Sequence, residues 1–183
     1  MQNNVSIMPV SDSGILRQAI EHEASEKGRY HILALRYLTL RNNLSKLMSD
    51  LTSECQGRLD RLIETDITHE VPYDVFLTTP LLFDMSQKGK HFFFLREAVA
   101  FQSLDEAHFL AHSSLCRYRT WVRHLSHGNL RTLLNDILAQ KEAECRILHA
   151  FQTHWPETPS YPGFEERSKS ERNEAERKRQ GAE

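Results

Sequence analysis

The chain has 183 residues, with 23 Lys or Arg against 25 Asp or Glu and a formal net charge of −2. That length suits one well-buried domain with extensions, and the balanced charge lacks the clustered basic excess that nucleic acid or an anionic membrane selects. No stretch approaches the roughly 18 consecutive apolar residues of a membrane span, and MQNNVSIMPVSDSG at the N-terminus has no basic segment ahead of an apolar run. A cytoplasmic protein with neither nucleic-acid nor membrane partner is expected. The three cysteines, Cys55, Cys116 and Cys145, are odd in number and include no Cys-x-x-Cys pair, which argues against a disulfide framework or a zinc knuckle and for free thiols.

All six prolines lie outside 10–71 and 81–155, and a helix-interior proline costs about 3 kcal/mol, so two long helix-permitting blocks result. After an N-terminal arm over 1–12, Leu16, Ile20, Glu23, Lys27, Tyr30, Ala34 and Tyr37 recur at alternating four and three spacing and predict a first helix over about 13–38. Asn42 and Asn43 supply the turn, and Leu44, Leu47, Leu51 and Leu62 predict a second helix over about 42–64. A crossover spans 65–102. Pro72 and Pro80 interrupt it, while YDVFLTTPLLFDM and HFFFLREAVAF are apolar enough to pack against the bundle, or to form a dimer face through Phe92, Phe93 and Phe94. Ser103-Leu104-Asp105-Glu106 reads as a capping box that starts the third helix. Its stripe, Leu104, Ala107, Ala111, Leu115, Tyr118 and Val122, ends at Ser126-His127-Gly128-Asn129, and Leu130 to Phe151 carry the fourth.

The bundle domain therefore covers 13–155. Residues 156–183 form a charged flexible tail whose composition offers little to bury. The two blocks also repeat weakly: RNNLSKLMSDL at 41–51 matches HGNLRTLLNDI at 127–137, and Tyr30 and Tyr118 lie 88 residues apart. Two helical hairpins joined by a long crossover produce such a pattern.

Glu23 followed by Tyr30 two turns later, Tyr118 on the third helix, and Leu138-Ala139-Gln140-Lys141-Glu142-Ala143-Glu144-Cys145 on the fourth resemble the ferritin-like and rubrerythrin-type four-helix bundles. The resemblance implies an all-α bundle of two helical hairpins with a diiron carboxylate site inside; the alternative fold is a haem-oxygenase-like bundle with extra helices from 65–102. The ligand pattern departs from the family. No Glu-x-x-His occurs anywhere in the chain. Ala111 stands seven residues before Tyr118 where a carboxylate belongs, Cys145 follows Glu142 where a histidine belongs, and the second helix offers either Glu54 with Gly57 or Cys55 with Arg58.

Two functional readings follow. In the first, the bundle has lost diiron chemistry and is a non-catalytic or regulatory binding module that requires no cofactor. An internal ion pair then replaces the metals, with Arg58 or Lys27 compensating Glu23 or Glu142. A protein partner would dock on the crossover or the tail, and a homodimer is compatible with either reading. In the second, the protein is a metal-dependent oxidoreductase or metal-binding protein using iron, manganese or zinc. Its rearranged ligand set would come from Glu23, Glu54, Glu142, His108, His112 and Cys145, since His108, His112 and Cys116 share one helical face.

Overall fold

The computed structural model describes residues 11–65, 91–126 and 128–155. They form four helices and no strand: α1 Asp12–Tyr37, α2 Asn42–Thr65, α3 Glu97–His124 and α4 Asn129–Thr153. Among them no helix is long and apolar enough to cross a membrane. Most of the expected arm, the crossover from 66 to 90 and the tail from 156 lie outside the described residues.

Helix α1 begins where Ser11 Oγ accepts a hydrogen bond from the Gly14 amide at 3.2 Å, satisfying one of the orphan donors of the first turn. It ends in a short turn in which the Arg41 amide bonds the Tyr37 carbonyl at 2.9 Å. Ser45 Oγ then donates to the Ala34 carbonyl at 2.7 Å and fastens α2 back onto α1. The short turn and extensive packing make α1 and α2 an antiparallel hairpin, α3 and α4 make another, and α2 also packs on α4. One core cluster joins all four helices: Ile15, Ala19 and Ile20 from α1, Leu59 and Leu62 from α2, Trp121 and Val122 from α3, and Leu134 and Ile137 from α4.

The third helix starts seven residues earlier than the capping box predicts, with Arg96 rather than Ser103 as its N-cap. Its N-cap, Arg96, makes no side-chain capping bond, and packing decides the boundary instead: Ala100 and Leu104, one turn apart, are both fully buried, so Glu97 to Gln102 extends the interior stripe of α3. Acidic Glu97 in the first turn also suits the positive end of the helix dipole, and it takes two hydrogen bonds from Arg41, Nε at 3.1 Å and Nη2 at 2.9 Å.

Residues before α3 are stitched to the end of α1. The Phe94 amide bonds the Arg36 carbonyl at 3.0 Å, Arg36 Nε donates to the Phe92 carbonyl at 3.1 Å, and the Phe94 ring lies 4.7 Å from that of Tyr37. Phe94 is thus core, Phe92 is half-buried and Phe93 is exposed. Tyr37 Oη donates to the Ala100 carbonyl at 2.7 Å, linking the two hairpins. Tyr37→Phe should cost about 1 kcal/mol, the net worth of one buried hydrogen bond, seen as a lower urea midpoint; an unchanged midpoint would deny that link any energetic weight.

Candidate functional site

The middle of the bundle is charged. Glu23, Glu26, Arg58, Lys141 and Glu144 are all at most 3% exposed, although such residues are rarely buried without partners. Three helices deliver them in pairs three residues apart, a spacing that puts both side chains on one face: Glu23 with Glu26 on α1, Cys55 with Arg58 on α2, and Lys141 with Glu144 on α4. Helix α3 contributes Tyr118, while its Ala111 is fully buried and carries no polar atom on its side chain.

Every carboxylate oxygen in this cluster has a donor. Glu23 Oε1 accepts from Tyr118 Oη at 2.7 Å and lies 3.1 Å from Lys141 Nζ, while its Oε2 accepts from Arg58 Nε at 2.8 Å. Glu144 Oε1 accepts from Tyr30 Oη at 2.5 Å, and its Oε2 accepts from Arg58 Nη2 at 3.1 Å with Lys141 Nζ 3.6 Å away. Glu26 takes Arg29 Nη2 on Oε1 at 3.0 Å and the Lys141 ammonium on Oε2. Arg58 Nη2 also donates to Cys55 Sγ at 3.1 Å. The two tyrosines cross between hairpins, Tyr30 of the first bonding Glu144 of the second and Tyr118 of the second bonding Glu23 of the first.

The electrostatics fix the protonation states. Burial opposes ionisation of Glu26, but Lys141 above all, then His22 and Arg29, hold its carboxyl down at about 2. Burial likewise disfavours the Lys141 ammonium and the Arg58 guanidinium, and the facing glutamates override it, raising both above their ordinary values. Burial and then the neighbouring carboxylates push Tyr30 and Tyr118 well up, so both stay phenols that donate. The Cys55 thiol is pushed up chiefly by burial, and Cys145 reaches about 11 for the same reason, helped by Glu144. A protonated lysine, protonated thiols and saturated carboxylates provide neither a nucleophile nor a free base. What the arrangement does is hold three anions and three cations in mutual register.

The residues singled out in the sequence are scattered. Glu23 lies in the cluster and Cys145 is buried beside Glu144, but Glu54 is exposed, and Glu142 lies near the surface, paired with Arg119 at 2.9 Å. His108 stacks against His149 with ring centroids 5.4 Å apart, and exposed His112 approaches exposed Cys116, Nδ1 to Sγ 3.8 Å. Both histidines line an open groove on α3. In α2 the inward register is Cys55 with Arg58. Arg58 is a compensating cation, as expected, but its partners are Glu23 and Glu144 rather than Glu142, and Lys141 rather than Lys27 is the second cation. Glu26, Lys141 and Glu144 are not among the ligand candidates of the sequence, yet Leu134, Ile137, Lys141, Glu144 and Leu148 alternate by three and four. That rhythm phases Lys141 and Glu144 with the core.

The donor set does not fit the diiron group that the resemblance implies. Among the described residues one trio, Glu23, Glu26 and Cys55, brings ligand atoms within 4.8 Å of one another. Lys141 is already on both glutamates of that trio, and Arg58 is on Glu23 and the thiol. Two fixed positive charges stand where cations would have to enter, and the imidazole beside the cluster, His22, with Nε2 3.6 Å from Glu26 Oε1, already shares that nitrogen with Ser114 Oγ at 2.7 Å. No protein-family model, curated protein sequence or solved structure matches this chain.

Proposed function

We propose that this bundle is a non-catalytic or regulatory binding module, related in architecture to ferritin-like and rubrerythrin-type proteins, in which side-chain cations do the structural work of a lost metal pair. The observation that carries the reading is the contact of Lys141 with all three buried glutamates and of Arg58 with two of them, Glu23 and Glu144. A metal pair and these two cations would compete for the same carboxylate lone pairs, and the side chains are tethered at the site. The second reading, a metal-dependent oxidoreductase or metal-binding protein, is favoured by the Glu23, Glu26 and Cys55 trio, and requires Lys141 to swing out.

Elemental analysis separates the two. Protein purified without chelator from metal-supplemented cells should carry no stoichiometric iron, manganese or zinc, and its melting temperature should not change in EDTA. One or two metal ions per chain, lost on Glu23→Ala, would replace this reading with the metal-dependent one.

A further inference from the structure

Helices α1 and α3 do not pack backbone to backbone as the hairpin partners do, and a polar cleft of about 370 Å3 opens between them. Its walls carry the small side chains Ser25, Ser113 and Ser114, and Glu26 lies at its inner end, so the cleft reaches from solvent to the charged cluster. A volume in this range suits a small molecule, and convergent polar groups in such a space mark a binding site.

The positive charge along the cleft is incompletely used. Arg29 gives Nη2 to Glu26, but its Nε is buried and has no hydrogen-bond partner, a situation that costs about 1–3 kcal/mol until an acceptor arrives. Arg117, on the facing wall, is exposed and forms no ion pair with any described residue; its guanidinium lies 6.0 Å from the Trp121 ring. His22 Nε2 shares a hydrogen bond with the buried Ser114 Oγ at 2.7 Å. Glu26 is shared between Arg29 and Lys141, so the cationic charge on the cleft without an ion-pair partner among the described residues is that of Arg117, while exposed Glu21 also lines the cleft. An arginine fork is shaped to hold planar or tetrahedral oxyanions through paired N–H donors.

We propose that the α1/α3 cleft binds a small oxyanion, a carboxylate or phosphate group, held between Arg29 and Arg117 beside the His22–Ser114 pair. This deepens the reading of the bundle as a binding module and rests on it. It also gives that module a means of response: Arg29 and Lys141 grip opposite oxygens of Glu26, so an anion that draws on Arg29 acts one carboxylate away from the internal network.

The test titrates the full chain, carrying Trp155→Phe so that Trp121 alone reports, with inorganic phosphate and separately with succinate against chloride of equal ionic strength. Trp121 is placed to report, since its ring centroid is 6.0 Å from that of His22. Saturable one-to-one binding with a shift in Trp121 emission is expected for at least one of the two, and which one saturates assigns the phosphoryl or the carboxylate source. Arg117→Ala should weaken it about tenfold or more, the scale of a lost charge-assisted hydrogen bond, without moving the melting temperature of the free protein. Arg29→Lys, which keeps a charge beside Glu26 but removes Nε, should weaken it similarly. Absence of saturation beyond chloride, or equal binding in Arg117→Ala, would overturn the proposal. Metal-free protein that binds neither anion would defeat the cleft alone, whereas stoichiometric metal at Glu23 would defeat the binding-module reading.

Discussion

Lys141→Ala should lower the free energy of unfolding by about 3–5 kcal/mol, the cost of removing one partner from a buried ion network. The ammonium is fully buried and touches Glu23, Glu26 and Glu144, so its loss leaves three carboxylates inside the bundle with Arg58 and Arg29 as the remaining compensation. Removing charge from both sides should hurt less than the sum of the parts: Lys141→Met combined with Glu26→Gln is expected to be more stable than Lys141→Met alone. Urea unfolding of the four proteins in that cycle measures the coupling. On the binding-module reading the Ala variant should also be more dependent on divalent cations than the natural chain, because Glu23, Glu26 and Cys55 then face a vacated position. A loss below about 1 kcal/mol for Lys141→Ala, the scale of an exposed pair, would mean that the network contributes no more than a surface salt bridge.

Acid should unfold the protein in two stages. The His22 pKa is lowered from 6.5 by burial, against the pull of Glu26, so the unfolded chain binds a proton there more readily and stability declines as pH falls below 6.5. The Glu26 carboxyl is held at about 2 against 4.5 in the unfolded chain. Its stabilisation is complete above pH 4.5 and disappears as pH falls toward 2, a difference of roughly 3 kcal/mol at 1.36 kcal/mol per unit. Lys141 has the opposite sign: its pKa is raised from 10.5, so its contribution is intact below 10.5 and is lost at more alkaline pH. Maximum stability is therefore expected between about pH 6.5 and 10.5. Urea midpoints across a pH series test this, and Glu26→Gln should flatten the slope between 4.5 and 2; an unchanged slope there would assign the acid sensitivity to other carboxylates.

The helices were legible because their burial follows a simple rhythm. Ile15, Ile20, Tyr30 and Tyr37 on α1, or Leu134, Ile137 and Leu148 on α4, recur at helical spacing, and prolines bracket both blocks. The start of α3 was obscured because a local signal, the Ser103 box, competed with a tertiary one, the burial of Ala100 against the other hairpin. Ala111 and Cys55 or Arg58, at the positions where the resemblance implies ligands, were visible in the residues alone. The partners of Arg58 were not, since a charge on an interior stripe becomes informative only when the opposite charge on another helix is placed beside it. On α4 the family pattern pointed to Glu142 and Cys145, one residue out of phase with the face that carries Lys141 and Glu144. Physical periodicity, followed without that template, selects the correct pair.

The two phenol-to-carboxylate crossings, Tyr30 to Glu144 and Tyr118 to Glu23, bear on how one hairpin finds its place on the other. A seam of Leu, Ile and Ala tolerates sliding by a turn of about 5.4 Å, because one apolar contact exchanges for another at modest loss. Charged and phenolic groups do not exchange in this way. Shifted by a turn, Lys141 would face the residues around Ile20 or Tyr30 in place of Glu23 and Glu26, and Glu144 would lose both Arg58 and Tyr30. The interior polar layer thus acts as a key that admits one alignment of the two hairpins and rejects its neighbours.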